Sequence, residues 1–230
     1  MQSWIAQAHL HRPTIRAMSS PSPSLYSIPI TSVVAVTPSW GIGKSGTVPW
    51  HCADVFLPSD LKYFRDATTH TADKSKRNAV LMGRLTWESI PLKNRPLKNR
   101  LNVVISSTLS QEVFDQDPVL SGVLVASSLE DALSRIEQSE GVERAVVVGG
   151  ARLFEESLFH RWFDTLHLTQ VDREFDSDTF LPPRTVAFLQ AQDLEPYVTQ
   201  RLEEGGVRYR IVELPVKSCT PINSQLDSPV

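Results

Sequence analysis

The residue types suited to chemistry in this 230-residue chain are one carboxylate, several glycine-bearing segments and a few cations. Asp60 stands ahead of Leu61-Lys62-Tyr63-Phe64. Ser59-Asp60 ahead of that helical pattern is a plausible capping start. Val146-Val147-Val148-Gly149-Gly150-Ala151 reads as a buried strand that ends in two glycines and enters a helix. Bare backbone N–H groups there would seat a diphosphate, although a tight strand-to-helix turn needs the same glycines. Met82-Gly83-Arg84-Leu85-Thr86 repeats the arrangement with a cation and a hydroxyl. Arg100, at the edge of a strand, is placed to grip a carboxylate bidentately. The cations before it, in Lys93–Lys98, lack interleaved aromatics and read as a solvated loop rather than a nucleic-acid surface.

Two nucleotide-binding patterns fail on context. Gly41-Ile42-Gly43-Lys44-Ser45-Gly46 matches G-x-G-x-x-G, but Val48-Pro49-Trp50 follows where a helix should begin. A P-loop would need a glycine at Pro38. What remains is a glycine-rich segment, expected to be either a mobile closing loop or an ordinary surface loop. No G-x-S-x-G elbow is present, and Cys52, Cys219 and His51 show no zinc-ligand spacing. Metal is therefore not expected. Two cysteines fit a reducing compartment better than a disulfide framework.

The elements that must position these residues follow from the apolar pattern. Apolar residues make up 41% of the chain, enough for a sizeable core. Short apolar runs at Val33–Val36, Asn78–Met82, Leu101–Ile105, Val123–Ala126 and Ala145–Val148 predict central strands buried on both faces. Leu61, Phe64 and Ala67 predict a helix after Ser59-Asp60. Ser127 and Glu130 fit a capping box before the helical stretch Ala132–Ile136, and a third helix is expected over 151–159. Tyr197–Arg201 and Val207–Val212, around Gly205-Gly206, predict an antiparallel hairpin. The pattern is a single α/β domain with a mixed, mainly parallel sheet. Residues 1–27, with a Ser/Pro stretch over Ser19–Ser24, read as a tail and linker, and the domain is placed at 28–214 with a polar tail over 215–230. The start of the tail has arginines and no acids, so mitochondrial targeting by residues 1–18 competes with a cytoplasmic location. The net charge of −3 gives no reason to expect nucleic acid, and no apolar run approaches the roughly 18 residues needed to cross a bilayer.

In order and spacing, these segments resemble the dihydrofolate reductase family, in its eukaryotic, fungal-like form. The resemblance is carried by Val33–Val36, Gly41–Lys44, Pro49-Trp50, Asp60–Phe64, Met82–Arg84, Trp87–Pro91, Asn94–Leu97, Arg100, Val148–Gly150 and Asp176–Phe180. It implies an eight-stranded, mostly parallel sheet flanked by helices, and a monomer that reduces dihydrofolate with NADPH and binds antifolates. It also implies that Asp60, Trp50 and Thr169 form the catalytic group. Val33, Val34, Leu61, Phe64, Asn94, Leu97, Arg100 and Val148 would join Asp60 and Thr169 against the substrate, with Arg100 on its glutamate carboxylate. The cofactor would meet Ala35, the loop Ile42, Gly43, Lys44, Ser45, Gly46, Thr47 and Val48, and the segment Gly83, Arg84, Leu85 and Thr86. Ser106, Ser107 and Ser127, with Gly149, Gly150, Ala151, Arg152, Leu153 and Phe154, would complete its site.

The chain departs from the family in three places. Cys52–Phe56 reads as an insertion between Trp50 and Asp60, which either bulges outward or disturbs the site, and it makes Asp54 a rival acid. Ser106-Ser107 and Ser127-Ser128 stand where the family often places arginines for the 2′-phosphate of NADPH. Phe154 replaces a tyrosine. Two other readings fit the same residues: a same-fold pyrimidine reductase of riboflavin synthesis, and an inactive folate- or nucleotide-binding paralogue.

Overall fold

The apolar runs become the middle of one sheet in the computed structural model, which describes residues 28–216. β1 (Ile30–Val36), β3 (Arg77–Gly83), β4 (Arg100–Ile105), β5 (Leu124–Ala126), β6 (Val142–Gly149) and β7 (Phe163–Val171) run parallel. β9 (Val198–Glu204) and β10 (Val207–Pro215) form the expected hairpin, with β10 antiparallel to β7. The order is β5-β4-β3-β6-β1-β7-β10-β9. Side chains alternate across the sheet, as the pleat requires. Val33, Val80, Met82, Val104 and Val146 pack with α1 (Pro58–Thr69), α2 (Arg84–Ser89) and α3 (Gln111–Asp115). Val34, Ala79, Leu81, Val103, Ala145 and Val147 pack with α4 (Leu129–Glu137), α5 (Ala151–Leu158) and α6 (Pro183–Gln190). Helices on both faces explain why the strand sequences are apolar runs rather than alternations.

Several expectations shift by small amounts. The capping box before α4 is displaced by one residue: Ser128 caps, its Oγ accepting from Asp131 N–H at 3.1 Å. Asp131 in turn accepts from the backbone N–H of Ser127 at 2.8 Å, so Ser127 and Glu130 are not the capping pair. Asp60 is not a helix cap either. α1 starts at Pro58 after Leu57, with no side-chain cap, which leaves Asp60 inside the first turn. The third helix ends at Leu158, and its C-cap is Phe159. Gly41–Gly43 forms a short strand, β2, antiparallel to β8 (Thr179–Phe180), rather than a free loop. β10 runs to Pro215 and Val216 is buried. The tail over 1–27 and the segment from 217 onward lie outside the described residues.

A third apolar cluster supports the site. Trp50, Val55, Leu57, Val171, Phe175, Val207, Tyr209 and Ile211 pack together beneath the β9–β10 turn, with Ala35 and Tyr63 against them.

Candidate active site

Asp60 projects from the first turn of α1 toward β7, where the buried Thr169 hydroxyl donates to its Oδ1 at 2.7 Å. Thr169 sits between Ala35 of β1 and Ile211 of β10, so the sheet fixes it from both sides. Burial pushes the Asp60 carboxyl above its usual range. The Thr169 hydrogen bond opposes that rise and the Glu204 charge adds to it. A carboxyl held in this way can keep or share a proton nearer neutral pH than a surface acid can. Asp54, the rival, is exposed and ends a 3-10 turn over Pro49–Ala53 in a left-handed conformation.

Beside Asp60 lies a polar group that the sequence patterns did not single out. The Tyr63 hydroxyl lies 2.6 Å from Nδ1 of His167 and donates to Glu213 at 2.9 Å. His167 is two residues before Thr169 on β7, and Glu213 faces it from β10. Trp50 is buried, its ring edge-on to Phe175 at 6.2 Å. Among the described residues no hydrogen bond joins its indole to Asp60. The Cys52–Phe56 segment bulges outward over the hairpin: Val55 is buried in the third cluster while Cys52, Asp54 and Phe56 are exposed.

The glycine-bearing strand ends meet each other. β3 and β6 are neighbours, and a Cβ on Gly83 would lie 3.7 Å from the Gly150 nitrogen. Gly149 has φ +144, and a Cβ there would lie 2.8 Å from the Thr86 hydroxyl oxygen. Both α2 and α5 begin without a side-chain cap, their capping positions being Gly83 and Gly150, and the first N–H groups of a helix lack intrahelical acceptors. Two uncapped helix starts side by side, with Arg84 at one, form a cradle whose chemistry suits a diphosphate. Arg84 itself pairs with Glu88 at 2.8 Å.

The Gly41–Val48 segment is held down by the chain after β7. Lys44 pairs with Asp176 at 2.8 Å, Asp178 accepts from Ser45 N–H at 2.8 Å, and Asp178 N–H donates to the Gly43 carbonyl at 3.0 Å. A side chain at Gly41 would collide with Ser177. On the opposite flank, Arg100 is part-buried and donates to the Thr68 hydroxyl at 2.6 Å. Burial and the nearby Arg65 charge both disfavour its cationic form, so an incoming anion would be welcome there. Arg95 serves the fold instead, lying 5.3 Å over the Trp87 ring and donating to the Trp87 carbonyl.

A sequence profile of dihydrofolate reductase matches residues 29–203. The chain belongs to the dihydrofolate reductase family. It is 38% identical to the dihydrofolate reductase of Rattus norvegicus over 186 residues, covering 79% of this chain and 94% of the rat protein. It is 41% identical to the bifunctional dihydrofolate reductase-thymidylate synthase 1 of Arabidopsis thaliana over 177 residues, covering 77% of this chain. The chain spans only about a third of that bifunctional relative's length, 32%. Among solved structures, Schistosoma mansoni dihydrofolate reductase superposes with a TM-score of 0.65 at 34% identity, covering 82% of this chain and 98% of that one.

Within this dihydrofolate reductase fold, the expected site residues fall into distinct places. Phe64, Val33, Val148 and Leu97 belong to the layer under α1, and Leu61 is exposed on α1. Val34 packs in the opposite layer, so its side chain points away from α1. Leu153 and Phe154 are also in that layer, whereas Arg152 and Leu85 are exposed. Asn94 is exposed on a 3-10 turn. The serines at the far strand ends are partly committed locally. Ser106 Oγ accepts from the Thr108 and Leu109 N–H groups, and Ser127 bonds the Asp131 carboxylate. Ser107 is exposed. No helix among the described residues is long and apolar enough to cross a membrane.

Proposed function

We propose that residues 28–216 form one reductase unit, which converts 7,8-dihydrofolate to 5,6,7,8-tetrahydrofolate at the expense of NADPH. We place it in the cytoplasm as a monomer that antifolates would block. The observation that carries the reading is the Asp60–Thr169 pair, a partly buried carboxyl held at 2.7 Å in the fold of this family. When bound, NADPH supplies the hydride that reduces C6 of the pterin, and the chain has to orient the ring and favour protonation at N5. Asp60 suits that task. A carboxylate can accept two hydrogen bonds from an amino group and a ring N–H, which fixes orientation and stabilises the protonated substrate. Thr169 holds the acid in place. Arg100 is the partner for the substrate's glutamate carboxylate.

On the cofactor side, the first N–H groups of α2 and α5 would bind the diphosphate, and Lys44, Ser45 and Thr47 would cover the nicotinamide end. Closing that segment excludes water from the reacting atoms. NADPH is favoured over NADH by Arg84 and the strand-end serines, while Asp131 beside Ser127 works against a 2′-phosphate.

The test is absorbance-monitored oxidation of NADPH, and of NADH, with and without dihydrofolate. Turnover that depends on dihydrofolate, prefers NADPH and is abolished by an antifolate supports the proposal. Cofactor binding without turnover would instead support an inactive paralogue.

A further inference from the structure

The turn between β9 and β10 reaches the start of α1. Glu204, the last residue of β9, accepts three hydrogen bonds. Its Oε2 takes the Ser59 backbone N–H at 3.1 Å and the Tyr209 hydroxyl at 2.7 Å, and its Oε1 takes the Ser59 hydroxyl at 2.6 Å. Leu57, in the capping position of α1, offers no side-chain oxygen. The first N–H groups of a helix lack internal partners and carry partial positive charge, so a carboxylate from another element is a strong substitute for a cap. Glu204 supplies it across 145 residues, at the residue immediately before Asp60. The turn is itself braced from outside. A Cβ on Gly205, with φ +57, would lie 3.2 Å from Val55 and 3.4 Å from the Phe56 carbonyl oxygen. The inserted segment therefore rests on the hairpin that carries Glu204.

We propose that Glu204 is a positioning residue for the reaction, fixing the first turn of α1 and with it the Asp60 carboxyl. Burial raises the proton affinity of Glu204 itself, but the Ser59 and Tyr209 hydrogen bonds outweigh it and keep the carboxyl below its usual range. It is therefore an anion at working pH, close enough to push the Asp60 carboxyl upward. The other titratable groups that act with Asp60 are Tyr63 of α1 and Tyr209 of β10, and burial drives both phenols above their usual range. Beyond Tyr63 lie Glu213 and His167. Tyrosines kept neutral leave Glu204 as the charge that acts on Asp60 from outside α1. A cap that only stabilised the fold would leave the turnover profile of a folded variant unchanged, and the two roles separate on that point.

The proposal rests on the reading of Asp60 as the substrate-orienting acid, so its test includes a readout that needs no turnover. In the full chain, the Asp60 carboxyl is titrated by carbon-13 NMR without ligands, and the pH profile of NADPH-dependent turnover is recorded in parallel. Glu204→Gln should move the Asp60 titration to lower pH, and the alkaline limb of the turnover profile should move with it in the same direction. Glu203→Gln, an exposed neighbour, should move neither. If Glu204→Gln does not fold, Glu204→Asp keeps the charge one methylene short of Ser59, and a smaller shift of the same sign is expected. A folded variant whose Asp60 titration and turnover profile both match the parent overturns the proposal. Full turnover in Asp60→Asn would instead overturn the reading of Asp60, and the positioning role of Glu204 would fall with it.

Discussion

Thr169 and Asp60 meet at 2.7 Å although 109 residues separate them, and that hydrogen bond opposes the effect of burial on the acid. Thr169→Val would remove the donor while nearly preserving shape. The proton affinity of Asp60 should then rise further, moving the pH profile of turnover to higher pH. The fold should lose about 1–3 kcal/mol, the cost of a part-buried polar group without its partner. Urea midpoints and a pH profile of turnover check the two effects separately, and a profile unmoved from the parent's contradicts the pairing.

Gly149 meets Thr86 with no room for a side chain. Gly149→Ala should cost about 1–3 kcal/mol through its positive φ alone, and more through the collision. Adding Thr86→Ala should return the collision part but not the backbone part. Cofactor affinity, measured by fluorescence quenching on titration with NADPH, should fall in the single variant. Unchanged stability in Gly149→Ala would mean that the strand end relaxes freely.

The inserted segment should serve the fold through Val55 rather than through its exposed residues. Val55→Ala should destabilise by about 2 kcal/mol, the loss expected for truncating a buried valine. Cys52→Ala and Phe56→Ser, both at exposed positions, should leave stability within about 0.5 kcal/mol of the parent. Thermal melts of the three variants decide this, and equal losses would remove Val55 as the anchor.

His167 should make the protein acid-sensitive. Burial lowers its proton affinity from the ordinary 6.5, and the Glu213 charge only partly opposes that. Its contribution to stability is therefore present above 6.5 and is lost as pH falls through the depressed folded value. Asp60, with its raised affinity, has the opposite sign, since protonation on acidification relieves its burial. In His167→Gln the loss below pH 6.5 should be shallower, with the Asp60 contribution unchanged. Denaturant midpoints across that range measure it, and parallel curves for parent and variant would exclude His167 as the sensor.

The central strands legible in sequence were those buried on both faces, where an apolar run is the only solution, while the β9–β10 hairpin was legible from its Gly205-Gly206 turn. β7 escaped that criterion because it carries chemistry. Leu166 and Leu168 face the core, while His167 and Thr169 interrupt the run to bond Tyr63 and Asp60. The glycines of Gly149-Gly150 were visible, but the reason for them was not, since Thr86 approaches from α2, which follows a different strand. Asp60 was marked by the family resemblance, and the capping start that its helical context suggested is not realised, because Pro58 starts the helix two residues earlier. The cap instead comes from Glu204, and no local pattern marks a carboxylate that arrives from the far hairpin. Ser127 fitted a capping box but lost the role to Ser128, one residue along, within the usual uncertainty of helix boundaries.

The central claim is that Asp60 orients the pterin and favours its protonated form, and single-turnover hydride transfer measured against pH tests it directly. Asp60→Asn should slow transfer near neutral pH by on the order of 10²–10⁴-fold. Part of that rate should return at acid pH, where dihydrofolate takes its proton without help. Asp54→Asn, on the exposed bulge, should behave as the parent at every pH. A parental rate near neutral pH in Asp60→Asn, or an equal loss in Asp54→Asn, would contradict the account.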